Sequence, residues 1–378
     1  MTLAVPPAAL VGDSLGGVGT PSLLIDLDAF DANLREMAAF AASSGVALRP
    51  HAKAHKSSAI ATRQVAAGAV GVCCQKLSEA YPFAAAGIES IHVSNEFFGA
   101  DKLAMAVKLA SRVRLSVCVD ARVQVDALGR AAAQAGVTID VLPEVDAGQH
   151  RCGVTTPDAL LQLVDAVAAH ASLRFAGVQA YHGGAQHIAG WSARKEEAVR
   201  TADRTAAFLR ALDARGVRYA VMTGGGTGTV EFDAVSGVYT EVQPGSYLFM
   251  DGDYGGLDWS GAMRPRHSLF VLSTIMSAAR AGIAVCDVGL KGLAVDSGLP
   301  RSVGWAPGSK GPALRYVAAN DEHGMLEAEG DTAGVIGERV LLPPGHCDPT
   351  VNLYDEYVCF RDDRVEAIWP IDARGLSR

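Results

Sequence analysis

Short β-branched, apolar runs recur along the chain roughly every 20 to 40 residues, each followed by an alanine- and leucine-rich stretch with helical spacing. After a lead-in, PSLLIDL (21–27), come GVALRPHA, GVCCQ, SIHVSN, VRLSVCVD, IDVLPEV, FAGVQAYHG, YAVMTGGG and EVQPGSY. These are eight candidate strands. Stretches such as DALLQLVDAVAAHAS (158–172) between them predict helices. Eight strands alternating with helices predict an α/β fold, a (β/α)₈ barrel of the TIM type. A doubly wound sheet is the rival, but the glycine-rich segment follows the seventh strand rather than the first.

From about Ser268 the pattern changes. SLFVLSTIMS, IAVCDVG, LRYVAAN, RVLLPPG and EYVCFRDDRVEAIWP read as strands separated by turns, with little helix between them. The pattern places a barrel at residues 20–265 and an all-β domain at 266–378, the latter joined by the N-terminal segment 1–19. The boundary lies near MRPRHS (263–268), and no internal repeat beyond the βα rhythm stands out.

The 378 residues, 49% of them hydrophobic and 20% charged, suffice for a large core. A formal net charge of -8 without a Lys/Arg block argues against nucleic acid or an anionic membrane as a main partner and favours a small-molecule substrate. The opening MTLAVPPAAL lacks a basic leader, and no later segment is long and apolar enough for a membrane span. A cytoplasmic location is expected. Seven cysteines, mostly inside apolar strands, read as buried free thiols.

The candidate chemistry begins with LRPHAKAHKS (48–57). If this is a strand, period-2 alternation puts Arg49, His51 and Lys53 on one face, directed into the barrel mouth. Three such groups in phase imply an anionic ligand or cofactor, and a desolvated lysine there is a candidate for imine chemistry. Lys56 lies beyond the strand and reads as a solvated lysine at a helix start.

MTGGGTGT (222–229) follows the seventh strand, where barrels commonly bind phosphate, and QPGSY (243–247) supplies the neighbouring loop. It lacks the Gly-Lys-Ser/Thr tail of a nucleotide P-loop. In EVDAGQHRCGV (144–154), Arg151 follows an acidic strand end, either as a ligand contact or as an ion pair with Glu144 or Asp146. His92 and His170 read as core or helix positions, whereas His182 and His187 leave the sixth strand at the ligand face. In PPGHCDPTVNLYD (343–355), an extended His346 to Asp348 would present the imidazole and carboxylate together and turn Cys347 away. That pair suits Mn²⁺, Mg²⁺, Co²⁺ or Zn²⁺. A loop in its place would turn the Cys347 sulfur inward.

Together RPHAKAHK, EVDAGQHRCG, AYHGG, TGGGTGT, EVQPGSY, FMDGDYG, NDEHG and PGHCDPTVNLYD resemble the D-threonine aldolase group of fold-type III, pyridoxal-phosphate-dependent enzymes, from about Thr20 onward. The resemblance implies an alanine-racemase-like barrel plus β domain, a homodimer, and retro-aldol cleavage of D-β-hydroxy-α-amino acids to glycine and an aldehyde. It implies that Lys53 carries pyridoxal 5'-phosphate and that Arg151 lies beside the cofactor's phenolic oxygen. Tyr181, Thr223, Gly225, Gly226, Gly245 and Ser246 are implied cofactor contacts. His346 and Asp348 are the implied ligands of a divalent metal, Mn²⁺ first, and His187 is the candidate base, with a metal-bound hydroxide as its competitor. Related dehydratases carry H-x-C where this chain has H-x-D, and GLKGLAVDSG (289–298) lacks the tyrosine a racemase would use. A 3-hydroxy-D-aspartate aldolase and a dehydratase of D-serine or hydroxyaspartate are the alternatives within the fold. A non-catalytic pyridoxal-phosphate carrier is the alternative outside it.

Overall fold

A computed structural model describes Leu3 and residues 5–378. The chain forms two compact units, one of residues 1–34, 246–256 and 265–374, the other of residues 35–245, 257–264 and 375–378. Residues 1, 2 and 4 of the expected joining segment 1–19 lie outside the described residues.

The first strand, β1 (Ser22–Asp26), belongs to the unit that holds the C-terminal chain. It runs antiparallel to a late strand, Ser22 facing Leu272, and parallel to another, Leu24 facing Val358. The barrel expected to start at residue 20 therefore starts later. A short strand with four buried residues, SLLI, fits a barrel or a sheet equally well, so only its long-range partners decide.

The second unit holds the barrel: β2 (Ala47–Leu48), β3 (Val72–Cys74), β4 (Ser90–Val93), β5 (Arg114–Val119), β6 (Ile139–Pro143), β7 (Leu173–Phe175), β8 (Gly177–Ala180), β9 (Val221–Gly224) and β10 (Glu241–Val242). All pair in parallel, in the orders β3-β4-β5-β6-β7 and β2-β10-β9-β8. Bridges from His51 to Cys73 and from Glu144 to Gln179 close the ring, and β7 is a short spur beside β6. Each of the eight expected segments contributes one strand to the ring. Parallel strands need apolar residues on both faces, and Val72, Ile91, Val117 and Val141 are buried accordingly.

The helices follow equally local rules. In Pro157–Ala168, Thr156 caps the start by accepting the Ala159 N–H at 3.2 Å, and Pro157 sits where no intrahelical N–H is needed. Leu160, Leu163, Val164 and Val167 form its buried stripe. The helix stops at Ala168 because residues 170–172 turn into β7, the Leu173 N–H bonding the His170 carbonyl.

The first unit is built on a sheet of β11 (Leu269–Arg280), β12 (Ile283–Cys286), β13 (Gly304–Trp305), β14 (Leu314–Ala319), β15 (Gly324–Ala328), β16 (Arg339–Leu342), β17 (Glu356–Arg361) and β18 (Arg364–Pro370), together with β1. The path is β14-β15-β12-β11-β1-β17-β18, with β16 on β11 and β13 on β16. Every pairing except that of β1 with β17 is antiparallel. No helix among the described residues is long and apolar enough to cross a membrane.

Candidate active site

The strand reading of 48–57 holds only as far as His51. β2 ends at Leu48, and Ala52–Ala54 form a 3₁₀ turn, so the period-2 argument fails at Lys53. Arg49 does not share the mouth: its Nε pairs with Glu241 at 2.9 Å and its Nη1 donates to Ser90 Oγ at 3.0 Å. Both partners open their strands, so the guanidinium is drawn toward the opposite end of the barrel. His51 stays at the mouth. Its Nδ1 accepts the Lys53 N–H at 3.4 Å, which leaves Nε2 to donate to Ser94 Oγ at 3.1 Å. Lys53 is half-buried beyond the C-terminal end of β2, the face that carries barrel chemistry.

Lys56 is not solvated. Its side chain is 12% exposed, and its ammonium pairs with Glu79, itself 5% exposed.

The two glycine-bearing loops differ from expectation in detail. Thr223 turns its hydroxyl into the barrel, donating to Glu241 Oε1 at 2.8 Å and accepting from Gln243 Nε2 at 2.8 Å. As a late residue of β9 it points inward, so its side chain serves the interior network rather than the loop. Gly225 has φ +68°, and a Cβ there would lie 2.5 Å from Asp233 Oδ2. The neighbouring Gly226 would crowd Gln186 in the same way. Gly245 lies against the turn that carries Lys53, its missing Cβ 2.9 Å from the His51 carbonyl oxygen. Ser246 opens the short turn Ser246–Leu248 and is buried.

Arg194 fastens the glycine loop. It is fully buried, donating from Nε to the Gly228 carbonyl at 2.8 Å, from Nη1 to Ile188 and Ala189, and from Nη2 to Asp258. Trp191 and Trp259 flank it at 5.5 and 5.7 Å. Arg194→Met is expected to lower stability by about 3 kcal/mol or more, because it strands several buried carbonyls, and urea unfolding would show it.

Three expected residues lie on loops at the same end of the barrel. Tyr181 follows β8 and is half-buried, Arg151 is exposed after β6, and His187 is exposed at the end of the turn Gly184–His187. Asp146 pairs with His150 Nδ1 at 2.8 Å rather than with Arg151, and it also accepts the Gly148 and His150 N–H groups. His182 pairs with Glu197 at 3.4 Å. His92 is a core residue as expected, bonded to Ser116 and Gln179 and pushed down to about 3 by burial.

One cluster escaped the sequence reading. Glu96, Asp120 and Glu144 each follow the C-terminal end of a strand, β4, β5 and β6, and Cys152 joins them. Ligand-type atoms of Glu96, Asp120 and Cys152 lie within 4.8 Å of one another. The recurring signal, an acid just after each strand in SNEF, CVD and LPEV, was available. Burial first, and then the Glu96 charge, raises Glu144 far above the ordinary carboxyl range. Burial and Asp120 raise Glu96 in turn, so both carboxyls hold their protons to higher pH than isolated ones would. Raised folded values mean that these two groups bind more protons in the native chain than in the unfolded one, so their contribution to stability is full in acid and is lost as pH rises through the elevated values. Glu144→Gln is expected to flatten this decline, raising Tm more at pH 8 than at pH 5. Parallel Tm profiles for parent and variant would contradict a raised Glu144.

The candidate metal ligands occupy the first unit. His346 is extended (φ -141°, ψ 123°), but Cys347–Val351 is a short helix, so the extended triplet is not formed. The helix starts because the Cys347 N–H bonds Asp251 Oδ2 at 2.8 Å, a partner remote in sequence. Asp251 is fully buried and also accepts the Tyr254 N–H at 2.9 Å. His346 Nδ1 bonds Asp296 Oδ2 at 2.7 Å, which leaves Nε2 as the imidazole's ligand atom. Cys347 is buried and donates to Asp348 Oδ1 at 3.3 Å; burial holds its thiol well above the usual range. An imidazole nitrogen and a carboxylate oxygen beside a protonated thiol fit a divalent cation of intermediate hardness. Asp296 and Asp251 were not singled out in the sequence, although AVDSG and FMDGDYG contain them.

Residues 25–253 match the family described as alanine racemase, N-terminal domain, and residues 268–360 the putative serine dehydratase domain. A D-threonine aldolase of Arthrobacter sp. is 49% identical over 377 residues, covering 100% of this chain and 98% of the relative. A 3-hydroxy-D-aspartate aldolase of Paracoccus denitrificans is 40% identical, covering 97% of this chain and 95% of the relative. The crystal structure of D-threonine aldolase from Filomicrobium marinum superposes with a TM-score of 0.93 at 45% identity, covering 99% of this chain and 100% of that one. With a closed parallel barrel, a mostly antiparallel β unit and these full-length matches, the chain belongs to the D-threonine aldolase group of the alanine-racemase-like, fold-type III enzymes.

Proposed function

We propose that this protein is a lyase cleaving D-threonine and other D-β-hydroxy-α-amino acids to glycine and an aldehyde, with pyridoxal 5'-phosphate and a divalent metal. The observation that carries the reading is His346, its imidazole oriented by Asp296, with Asp348 two residues on, in a chain matched end to end by aldolases. Lys53, half-buried beyond β2, would hold the cofactor covalently. Arg151, Tyr181, Gly225, Gly226, Gly245 and Ser246 would bind it, with Thr223 contributing through its backbone. His346 and Asp348 would hold the metal, Mn²⁺ in the first instance, with Mg²⁺, Co²⁺ or Zn²⁺ able to replace it.

When bound, the cofactor would supply an electron sink for the pair released from the Cα–Cβ bond, and the metal would lower the pKa of the β-hydroxyl. His187 accepts the proton from that hydroxyl oxygen as the aldehyde carbonyl forms and Cα–Cβ breaks, and a proton taken up at Cα completes glycine. Asp296 keeps the proton of His346 on Nδ1, and Cys347 leaves the ion to its neighbours by retaining its own. A homodimer and a cytoplasmic location complete the proposal. The seven cysteines are all free, and six are buried, as suits a reducing compartment.

The test is product analysis with D-threonine, pyridoxal phosphate and Mn²⁺, with a chelated control. Glycine plus acetaldehyde, abolished by chelator, is the expected result. Formation of 2-oxobutanoate and ammonia would make the protein a dehydratase. A much higher kcat/KM for 3-hydroxy-D-aspartate, cleaved to glycine and glyoxylate, would move the substrate to a β-carboxylate.

A further inference from the structure

The turn that bears Lys53 is tied down on both sides, within one compact unit. On the N-terminal side, the His51 N–H bonds the Pro244 carbonyl at 3.1 Å, and its ring reaches Ser94. On the C-terminal side, the turn closes with the Lys56 N–H on the Ala52 carbonyl at 2.8 Å. His55 follows inward: Nδ1 accepts the Ser57 N–H at 3.1 Å, Nε2 bonds Gln64 Oε1 at 3.2 Å, and the ring stands edge-on to Phe83.

Lys56 then adopts φ +50°, a left-handed conformation that is unfavourable for a non-glycine residue and persists only where its surroundings impose it. Here they do. That conformation accompanies a side chain directed to Glu79, where its ammonium meets Oε1. Glu79 Oε2 meanwhile accepts the N–H groups of Gln75 at 3.2 Å and Lys76 at 3.1 Å, the first residues after β3. One buried carboxylate therefore joins the end of the Lys53 turn to the end of the adjacent barrel strand.

A buried Lys–Glu pair is a poor source of stability, since desolvating both charges offsets most of their attraction, and an apolar pair would serve a core as well. What such a pair supplies is a defined geometry. We propose that Lys56 and Glu79 are positioning residues that set where Lys53 presents its amine. The inference rests on the reading of Lys53 as the cofactor-bearing lysine.

The test compares Glu79→Gln and Lys56→Met with the parent, each loaded with pyridoxal phosphate. Glu79→Gln keeps an acceptor for the Gln75 and Lys76 N–H groups and is the variant expected to fold. Three readouts apply: borohydride-trapped cofactor at residue 53, the cofactor Kd, and kcat against KM for D-threonine. A displaced amine predicts kcat down by on the order of 10- to 100-fold and cofactor binding weaker by about tenfold, with KM little changed. Lys56→Arg should restore part of both. In the cofactor-free variants, amide exchange at 54–57 should quicken more than in the barrel strands. Unchanged trapping, Kd and kcat in Glu79→Gln would overturn the proposal, even with a lower Tm. A parent enzyme that traps no cofactor at Lys53 would instead overturn the functional reading on which it rests.

Discussion

Lys53→Ala is expected to abolish covalent attachment of pyridoxal phosphate and to lower kcat for D-threonine by roughly 10³-fold or more, with the fold intact. The argument starts from location. Lys53 lies beyond the C-terminal end of β2, in a turn held by His51, Gly245 and the Lys56–Glu79 pair, and its side chain is half-buried. Replacing a half-buried side chain outside the packed interior removes little apolar area, so Tm should stay close to that of the parent. Loss of the reducible linkage with unchanged Tm is thus a chemical effect rather than unfolding. Borohydride reduction followed by peptide mapping provides the measurement. A Lys53→Ala protein that still carried a reduced cofactor–lysine adduct would move the assignment elsewhere, and Lys56, engaged by Glu79, would be the first residue to re-examine.

His346→Ala is expected to remove metal-stimulated turnover, with a loss on the order of 10²- to 10³-fold, while covalent cofactor at Lys53 persists. The imidazole is the nitrogen donor of the pair and is only 29% exposed, with Nδ1 engaged by Asp296. Asp296→Asn tests the same centre from one residue further out, because it weakens the hold on Nδ1 and leaves both proposed ligands in place. About 10- to 100-fold weaker metal affinity is the expected result. Metal titrations of activity measure both variants. A His346→Ala enzyme whose turnover still rose with Mn²⁺ and fell with chelator would remove His346 from the centre. Cys347 makes a useful control: Cys347→Ala should leave the metal dependence in place, since its thiol is buried, protonated and hydrogen-bonded to Asp348. If Cys347→Ala lost the metal instead, the H-x-D reading would give way to a thiolate ligand.

Several departures from the sequence reading share one cause. Alternation along a strand would direct Arg49 into the mouth, yet Glu241 draws it toward the opposite end of the barrel, from 192 positions away along the chain. Lys56 looked like a free helix-start lysine, yet Glu79 buries it. An extended His346 to Asp348 would put both ligands on one face, yet Asp251, remote in sequence, accepts the Cys347 N–H and starts a helix there. In each case the local pattern was sound, and a partner from another loop overrode it. The acid cluster at Glu96, Asp120 and Glu144 was missed because each acid is unremarkable alone and becomes a group only when the strands are ordered in a ring.

The sequence by itself determined the elements and their class. Apolar periodicity and caps such as Thr156–Pro157 are properties of neighbouring residues, and they sufficed for eight parallel strands and a β-rich C-terminal region. It also carried the motifs that identify the group, because RPHAK and GHCD keep their chemistry in a few consecutive residues. Only the tertiary structure decided that β1 joins the antiparallel sheet, that Thr223 turns into the barrel, and that Asp296 orients His346. The physical reason is range. Hydrophobic burial is set largely by composition along a segment, whereas a hydrogen bond or ion pair exists only at about 3 Å, and the chain must fold before its partners can be known.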